Sequence, residues 1–170
     1  MEKDNDPFSW RNAIAPQLED LGIIVLNPLI KPTWLPKMSG SDQDNLRESL
    51  TKGVPLNGNV LSAIHVNDST REYCLALARM SDFIIAKINK NVFSVGIFEE
   101  ITKNIEKPIL VISDDLIPSM WLYSQLGRHS VFYKTIDEVV KILKEIDSWN
   151  NKSTPFPFDN CRWIFATHLL

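Results

Sequence analysis

Four short apolar runs, Ile23–Leu26, Phe83–Ile88, Pro108–Ile112 and Ser130–Tyr133, most constrain what this chain folds into. They show little of the polar–apolar alternation that marks a strand with one wet face. Such runs suit parallel strands covered on both sides. Between them lie segments with helical spacing: Trp10–Leu21, Ser69–Met80, Phe98–Ile105 and Ile136–Ile146. In the last, Ile136, Val139, Val140, Leu143 and Ile146 form one stripe. Strands alternating with helices predict an α/β fold with a doubly wound parallel sheet.

Local signals place several ends. Ser69-Thr70-Arg71-Glu72 and Thr135-Ile136-Asp137-Glu138 both fit the capping-box pattern, and Gly22 is a C-terminal stop for the first helix. One connection is long. Residues 28–67 carry Pro28, Pro32, Pro36 and Pro55 among polar residues, and only Asp42–Leu50 promises a brief helix. This stretch is expected to be a long loop or lid. Residues 150–170 form a C-terminal extension, polar and proline-rich at first, with a strand-like stretch at Arg162–Thr167. The 170 residues are expected to form one domain.

Composition narrows the partners. A formal net charge of -3 argues against a broad grip on a nucleic-acid polymer, whereas a single nucleotide needs only a local cradle of N–H groups. Cys74 and Cys161 lack the spacing of a disulfide framework or a zinc site, and His65, His129 and His168 give no metal spacing. No metal or cofactor is therefore expected. Met1–Pro7 is polar and acidic, unlike a signal peptide, and no apolar run approaches the ~20 residues of a membrane span. The expectation is a cytoplasmic protein without a membrane partner.

In an open parallel sheet, ligands bind beyond the carboxyl ends of the strands. The segment after Phe83–Ile88 is the first place to look, and it includes Ser94-Val95-Gly96-Ile97-Phe98-Glu99-Glu100. A glycine allows close backbone approach, a serine caps a helix or binds phosphate, and two carboxylates open a helix. Adjacent helical residues point about 100° apart, so Glu99 and Glu100 cannot both face one cleft. Acidic residues in a first helical turn also have a purely structural role, complementing the dipole. Trp10, Trp121 and Tyr123 stack on a base or fill the core, with core packing the simpler reading. Asp114-Asp115 follows a strand and equally reads as a helix cap.

Across residues 9–146 the order of features resembles the nucleoside 2-deoxyribosyltransferase family, including its smaller viral-type members. The likeness rests on Ser9-Trp10-Arg11, Asn27-Pro28-Leu29, Met80-Ser81-Asp82-Phe83-Ile84-Ile85, Gly96-Ile97-Phe98-Glu99-Glu100-Ile101, Lys107-Pro108-Ile109 and Trp121-Leu122. The resemblance implies a flavodoxin-like three-layer sandwich and a homo-oligomer. Its nucleophile is a glutamate four residues after a glycine, which here is Glu100. The position two before the glycine binds the 5′ end of the sugar; here it is Ser94, a neutral donor that suits a 5′-monophosphate. Asn27, Gly96 and Ser119 fall at the family's substrate-binding positions. An ionised carboxylate below the sugar stabilises positive charge at the anomeric carbon and bonds to it. A second acid helps the base depart, in parallel with retaining glycosidases.

The chain departs from that pattern in three places. The family's leaving-base acid falls on Cys74, a poor substitute for a carboxylic acid. Glu72 stands nearby, but a capping-box role accounts for it. The usual Gly-Thr is Gly96-Ile97, and the family's first strand is either missing or replaced by Arg162–Thr167. The expected function is cleavage of an N-glycosidic bond, or 2-deoxyribosyl transfer, on deoxynucleosides or their 5′-monophosphates. The alternative is a catalytically inactive nucleotide-binding module of the same fold.

Overall fold

The computed structural model describes residues 9–53, 58–89, 95–113, 124 and 130–149. The chain divides into two compact units: Met1–Asn27 with Ala78–Leu170, and Pro28–Leu77.

The first unit is built on a three-stranded parallel sheet. Its strands are β1 (Ile84–Lys87), β2 (Ile109–Ile112) and β3 (Ser130–Tyr133), in that spatial order. Ile84 pairs with Ile109 and Ile109 with Ser130, and the registers continue to Lys87, Ile112 and Tyr133. Three of the four expected strands thus form within a residue of their predicted bounds. Helices are α1 (Ser9–Glu19), α2 (Gly40–Lys52), α3 (Gly58–Met80), α4 (Val95–Thr102) and α5 (Ile136–Trp149).

Successive residues of a strand point to opposite faces, and β2 uses both. Leu110 and Ile112 join Ile14 and Leu18 of α1 and Val139, Val140, Ile142 and Leu143 of α5. Ile109 and Val111 join Ile101 of α4, with Ile97, Phe98 and Ile105 against them. All four β2 residues are at most 1% exposed. The first unit is therefore an α/β arrangement with helices on both faces of a parallel sheet. Trp10 packs against the α1–α5 core, and the Arg11 guanidinium lies 4.4 Å from its ring centre.

Helix ends follow the local chemistry in two cases and escape it in a third. Glu138 N–H donates to Thr135 Oγ1 at 3.2 Å, while Glu138 Oε2 accepts from Thr135 N–H at 3.4 Å and Lys134 N–H at 2.7 Å, the expected box. After α1 the chain turns at Gly22, whose φ of 75° is open to glycine at no steric cost. Ser69, however, begins nothing. It lies within α3, where its hydroxyl donates to His65 C=O at 2.9 Å. A serine inside a helix bonds back four residues instead of capping.

The predicted long loop is also corrected. Within it α2 spans Gly40–Lys52 and α3 starts at Gly58. Ser39 caps α2, its Oγ accepting from Asp42 N–H at 3.1 Å, and Gly53 closes it with φ 63°. α2 buries no residue and contains the brief helix expected over Asp42–Leu50.

Ile23–Leu26, the fourth expected strand, has no regular secondary structure and joins no ladder among the described residues. Ile23 and Val25 pack on the α1–α5 core, while Ile24 is 85% exposed. The C-terminal stretch Arg162–Thr167 lies outside the described residues.

One lysine fastens the end of α3 to the start of β2. Lys107 Nζ donates to Ala78 C=O at 2.9 Å and to the carbonyls of Arg79 and Ser81. Carbonyls at a helix C-terminus lack internal partners, and a cation there also meets the negative end of the dipole. Replacing this charge-assisted set by Lys107→Met is expected to cost about 1.5–3 kcal/mol in urea unfolding.

Tyr133 gives a second test. Burial pushes its phenol above the ordinary value, and the carboxylates of Glu145 and then Glu138 add to the shift. A raised folded-state pKa means stability is intact below about pH 10, where the unfolded phenol titrates, and falls as pH rises beyond it. Tyr133→Phe should flatten that alkaline decline. An unchanged slope would remove Tyr133 as its source.

Candidate functional site

α4 follows β1, so it starts at the carboxyl end of the sheet, where ligands bind in such folds. Its apolar residues Ile97, Phe98 and Ile101 anchor it on the sheet. That packing fixes how Gly96, Glu99 and Glu100 are presented. Gly96 and Glu100 are four residues apart and share one helical face.

Gly96 has no steric requirement of its own. Its φ is not positive, and a Cβ built there meets nothing within 4 Å. A Cβ at this one position would find open space, which is what close approach of a ligand to the backbone requires.

The two glutamates are held differently. Glu99 Oε1 lies 3.2 Å from Lys103 Nζ, one turn on, and its side chain is 26% exposed. Such an i,i+4 pair supports the helix by a few tenths of a kcal/mol. Glu100 is half-buried. Its main-chain carbonyl accepts from Asn104 Nδ2 at 2.8 Å, and Asn104 is only 2% exposed. Asn104 also closes the turn beyond α4: its N–H reaches Ile101 C=O at 3.1 Å, and its carbonyl accepts from Lys107 N–H at 3.0 Å. Sequence reading passed over Asn104; its position four residues after Glu100 was the available signal.

The motif residues Ser81 and Lys107 have structural work. Ser81 Oγ donates to Ala78 C=O at 2.8 Å, and Lys107 collects the same helix end. Asn27 follows Ile23–Leu26 and is half-buried. Ser94, Ser119, Trp121, Tyr123, Asp114, Asp115, His129, His168 and Cys161 lie outside the described residues.

Glu72 and Cys74 belong to the second unit. Glu72 is exposed on α3 and forms an ion pair with Arg71 at 2.9 Å, so the expected capping role does not apply. Cys74 accepts from Lys31 Nζ at 3.2 Å. Lys31 also lies 5.3 Å from the Tyr73 ring centre, Tyr73 OH donates to Ile30 C=O at 3.2 Å, and Trp34 meets the Tyr73 ring edge-on at 6.1 Å. This cluster joins residues far apart in sequence, so no spacing rule marks it.

A separate groove of about 490 Å³ runs between α1 and α5, lined by Gln17, Asp137, Lys141, Lys144 and Glu145 among others. Its mixed charges are those of solvated helix faces, and it contains neither Gly96 nor Glu100. No group of three or more metal-ligating side chains occurs among the described residues. No described helix is long and apolar enough to cross a membrane.

Asn104→Ala should leave the Glu100 carbonyl without its side-chain donor and cost about 1–3 kcal/mol in thermal or chemical unfolding. Glu99→Gln should stay within about 0.5 kcal/mol of the native chain. A large loss for Glu99→Gln would mean that its ion pair carries more than helix support.

Comparison with family models, with curated proteins and with solved structures gives no match for this chain.

Proposed function

We propose that the chain cleaves the N-glycosidic bond of deoxynucleosides or their 5′-monophosphates, releasing the base to water or exchanging it, with Glu100 as nucleophile. The observation that carries this reading is the placement of Glu100: one turn after an unobstructed Gly96, on the helix that leaves β1 at the ligand-binding end of a parallel sheet. The proposal includes a flavodoxin-like sheet order, a cytoplasmic setting and a homo-oligomer, all on the strength of the sequence resemblance.

In this mechanism the Glu100 carboxylate attacks the anomeric carbon as the C–N bond to the base breaks. A glycosyl ester forms, and water or a second base then displaces the carboxylate from the face that the first base left, opposite Glu100. Asn104 acts as a positioning residue, holding the main chain of Glu100 from a buried site. Ser94 is assigned to the 5′ end of the sugar.

Incubation with deoxynucleoside monophosphates should release free base, and Glu100→Ala should reduce release below detection while Glu99→Gln retains it. Undiminished release by Glu100→Ala would reject the assignment. Gly96 separates function from folding. Gly96→Ala should stabilise α4 by up to about 1 kcal/mol yet weaken substrate binding, because the new methyl group occupies the approach space. A more stable variant with unaltered KM would argue against a ligand over this turn.

A second reading is favoured by Cys74, which stands where the resemblance places an acid and is hydrogen-bonded to Lys31. On that reading the chain is a nucleotide-binding module without turnover. Its signature is a rise in Tm with deoxynucleoside monophosphate and no base released.

A further inference from the structure

Within the Pro28–Leu77 unit, two adjacent residues meet two others at one common sequence offset. Tyr73 OH donates to Ile30 C=O at 3.2 Å, and Lys31 Nζ donates to Cys74 Sγ at 3.2 Å, each across 43 positions. The Lys31 ammonium also lies 5.3 Å from the Tyr73 ring centre, within cation–π reach. Trp34 meets that ring edge-on, with the centroids 6.1 Å apart. Tyr73 thus holds the residue before Lys31 by its hydroxyl and Lys31 itself by its ring, and the amine rests against the thiol.

Stability accounts for only part of this arrangement. A thiol sulfur is a weak acceptor, and a lysine head is a compact, strongly hydrated cation. Lys31 and Cys74 are both half-buried, so neither is sealed from small solutes. The rest of the unit is lightly fastened. α2 buries no residue, and the buried apolar residues among the described positions of this unit are Leu35, Val60, Ala63 and Leu75.

An amine held against a thiol changes where oxidation of the sulfur leads. The first oxidation product of a thiol is a sulfenic acid, which condenses with a neighbouring nitrogen to a sulfenamide. A nitrogen already in contact reacts as an intramolecular partner, ahead of a second molecule of oxidant.

We propose that Lys31 and Cys74 form an oxidant-sensitive cross-linking site, at which a hydroperoxide joins the two side chains by an S–N bond. In the first step the Cys74 sulfur attacks a peroxide oxygen. An S–O bond forms, the O–O bond breaks, and the thiol proton leaves with the departing oxygen. Cys74 is oxidised to the sulfenic acid, and hydrogen peroxide is reduced to water. In the second step Lys31 Nζ, after giving one proton to solvent, attacks the sulfur. The S–N bond forms, the S–O bond breaks, and the hydroxyl leaves as water with a second amine proton. No further oxidant is consumed, and a dithiol returns the thiol and the amine. The bond closes a loop from residue 31 to residue 74 that contains α2, and a closed loop constrains the unfolded chain. The site is a reversible clamp on this unit, independent of Glu100 and of turnover.

Hydrogen peroxide treatment of the full chain, then alkylation of free thiols and tryptic peptide mapping, tests the cross-link. The expected product joins residues 12–37 to residues 72–79 at two hydrogens below their summed mass, and dithiothreitol separates them. Lys31→Arg keeps the cation but has no amine that deprotonates, so its Cys74 should proceed to sulfinic acid. Thermal unfolding of the treated native chain should shift upward relative to Lys31→Arg treated alike, and return on reduction. A disulfide between Cys74 and Cys161, sulfinic acid on Cys74 beside unmodified Lys31 in the native chain, or the same cross-link in Lys31→Arg would each overturn the site. An unchanged unfolding midpoint in the cross-linked chain would overturn the clamp.

Discussion

β2 is held from both sides, and that double burial is the constraint from which the first unit is organised. Its four residues, all at most 1% exposed, divide between two helix layers. Each such side chain contributes about 1.5–3 kcal/mol on burial. Because alternate residues face opposite ways, α4 cannot share a layer with α1 and α5 without leaving half of β2 in water. The position of α4 follows from that division, and Gly96 and Glu100 ride on α4. A candidate site at the carboxyl end of β1 is thus a consequence of how Ile109 and Val111 are covered.

Polar groups at the helix ends refine what the apolar layers set. Lys107 gathers the last carbonyls of α3, and Asn104 gathers the Glu100 carbonyl from a buried position. Both lie in the short passage between α4 and β2. The same few residues therefore tie the helix before β1 and the helix after it to the entrance of β2. The Ser-Asp and Lys-Pro pairs singled out in the sequence have, in Ser81 and Lys107, concrete structural roles.

Sequence reasoning succeeded where the deciding force is local. The apolar runs at β1, β2 and β3 are long enough relative to their turns to identify themselves, and the Thr135–Glu138 box is a short-range hydrogen-bond pattern. It failed where a local pattern is overruled by length or by polarity. Ser69 has capping chemistry, yet α3 passes through it, because a helix already formed from Gly58 gains more by continuing than by restarting. α2 was legible only over Asp42–Leu50, short of its full length, and its residues bury nothing. The Lys31–Cys74 contact joins positions 43 apart, beyond any periodicity.

The sequence by itself marked the three segments that pair in the parallel sheet, which face of α5 is apolar, and that a glycine and two adjacent glutamates belong to the helix after β1, although α4 begins at Val95 and the glutamates lie beyond its first turn. These depend on side-chain period and short-range capping, which are properties of consecutive residues. Tertiary structure alone decided that Glu99 pairs with Lys103 while Asn104 holds the main chain of Glu100, and that Gly96 faces open space. It alone decided that Ile23–Leu26 lies against the core without a ladder partner among the described residues. Pairing between strands depends on what lies beside them, and a run of apolar residues carries no record of its neighbour.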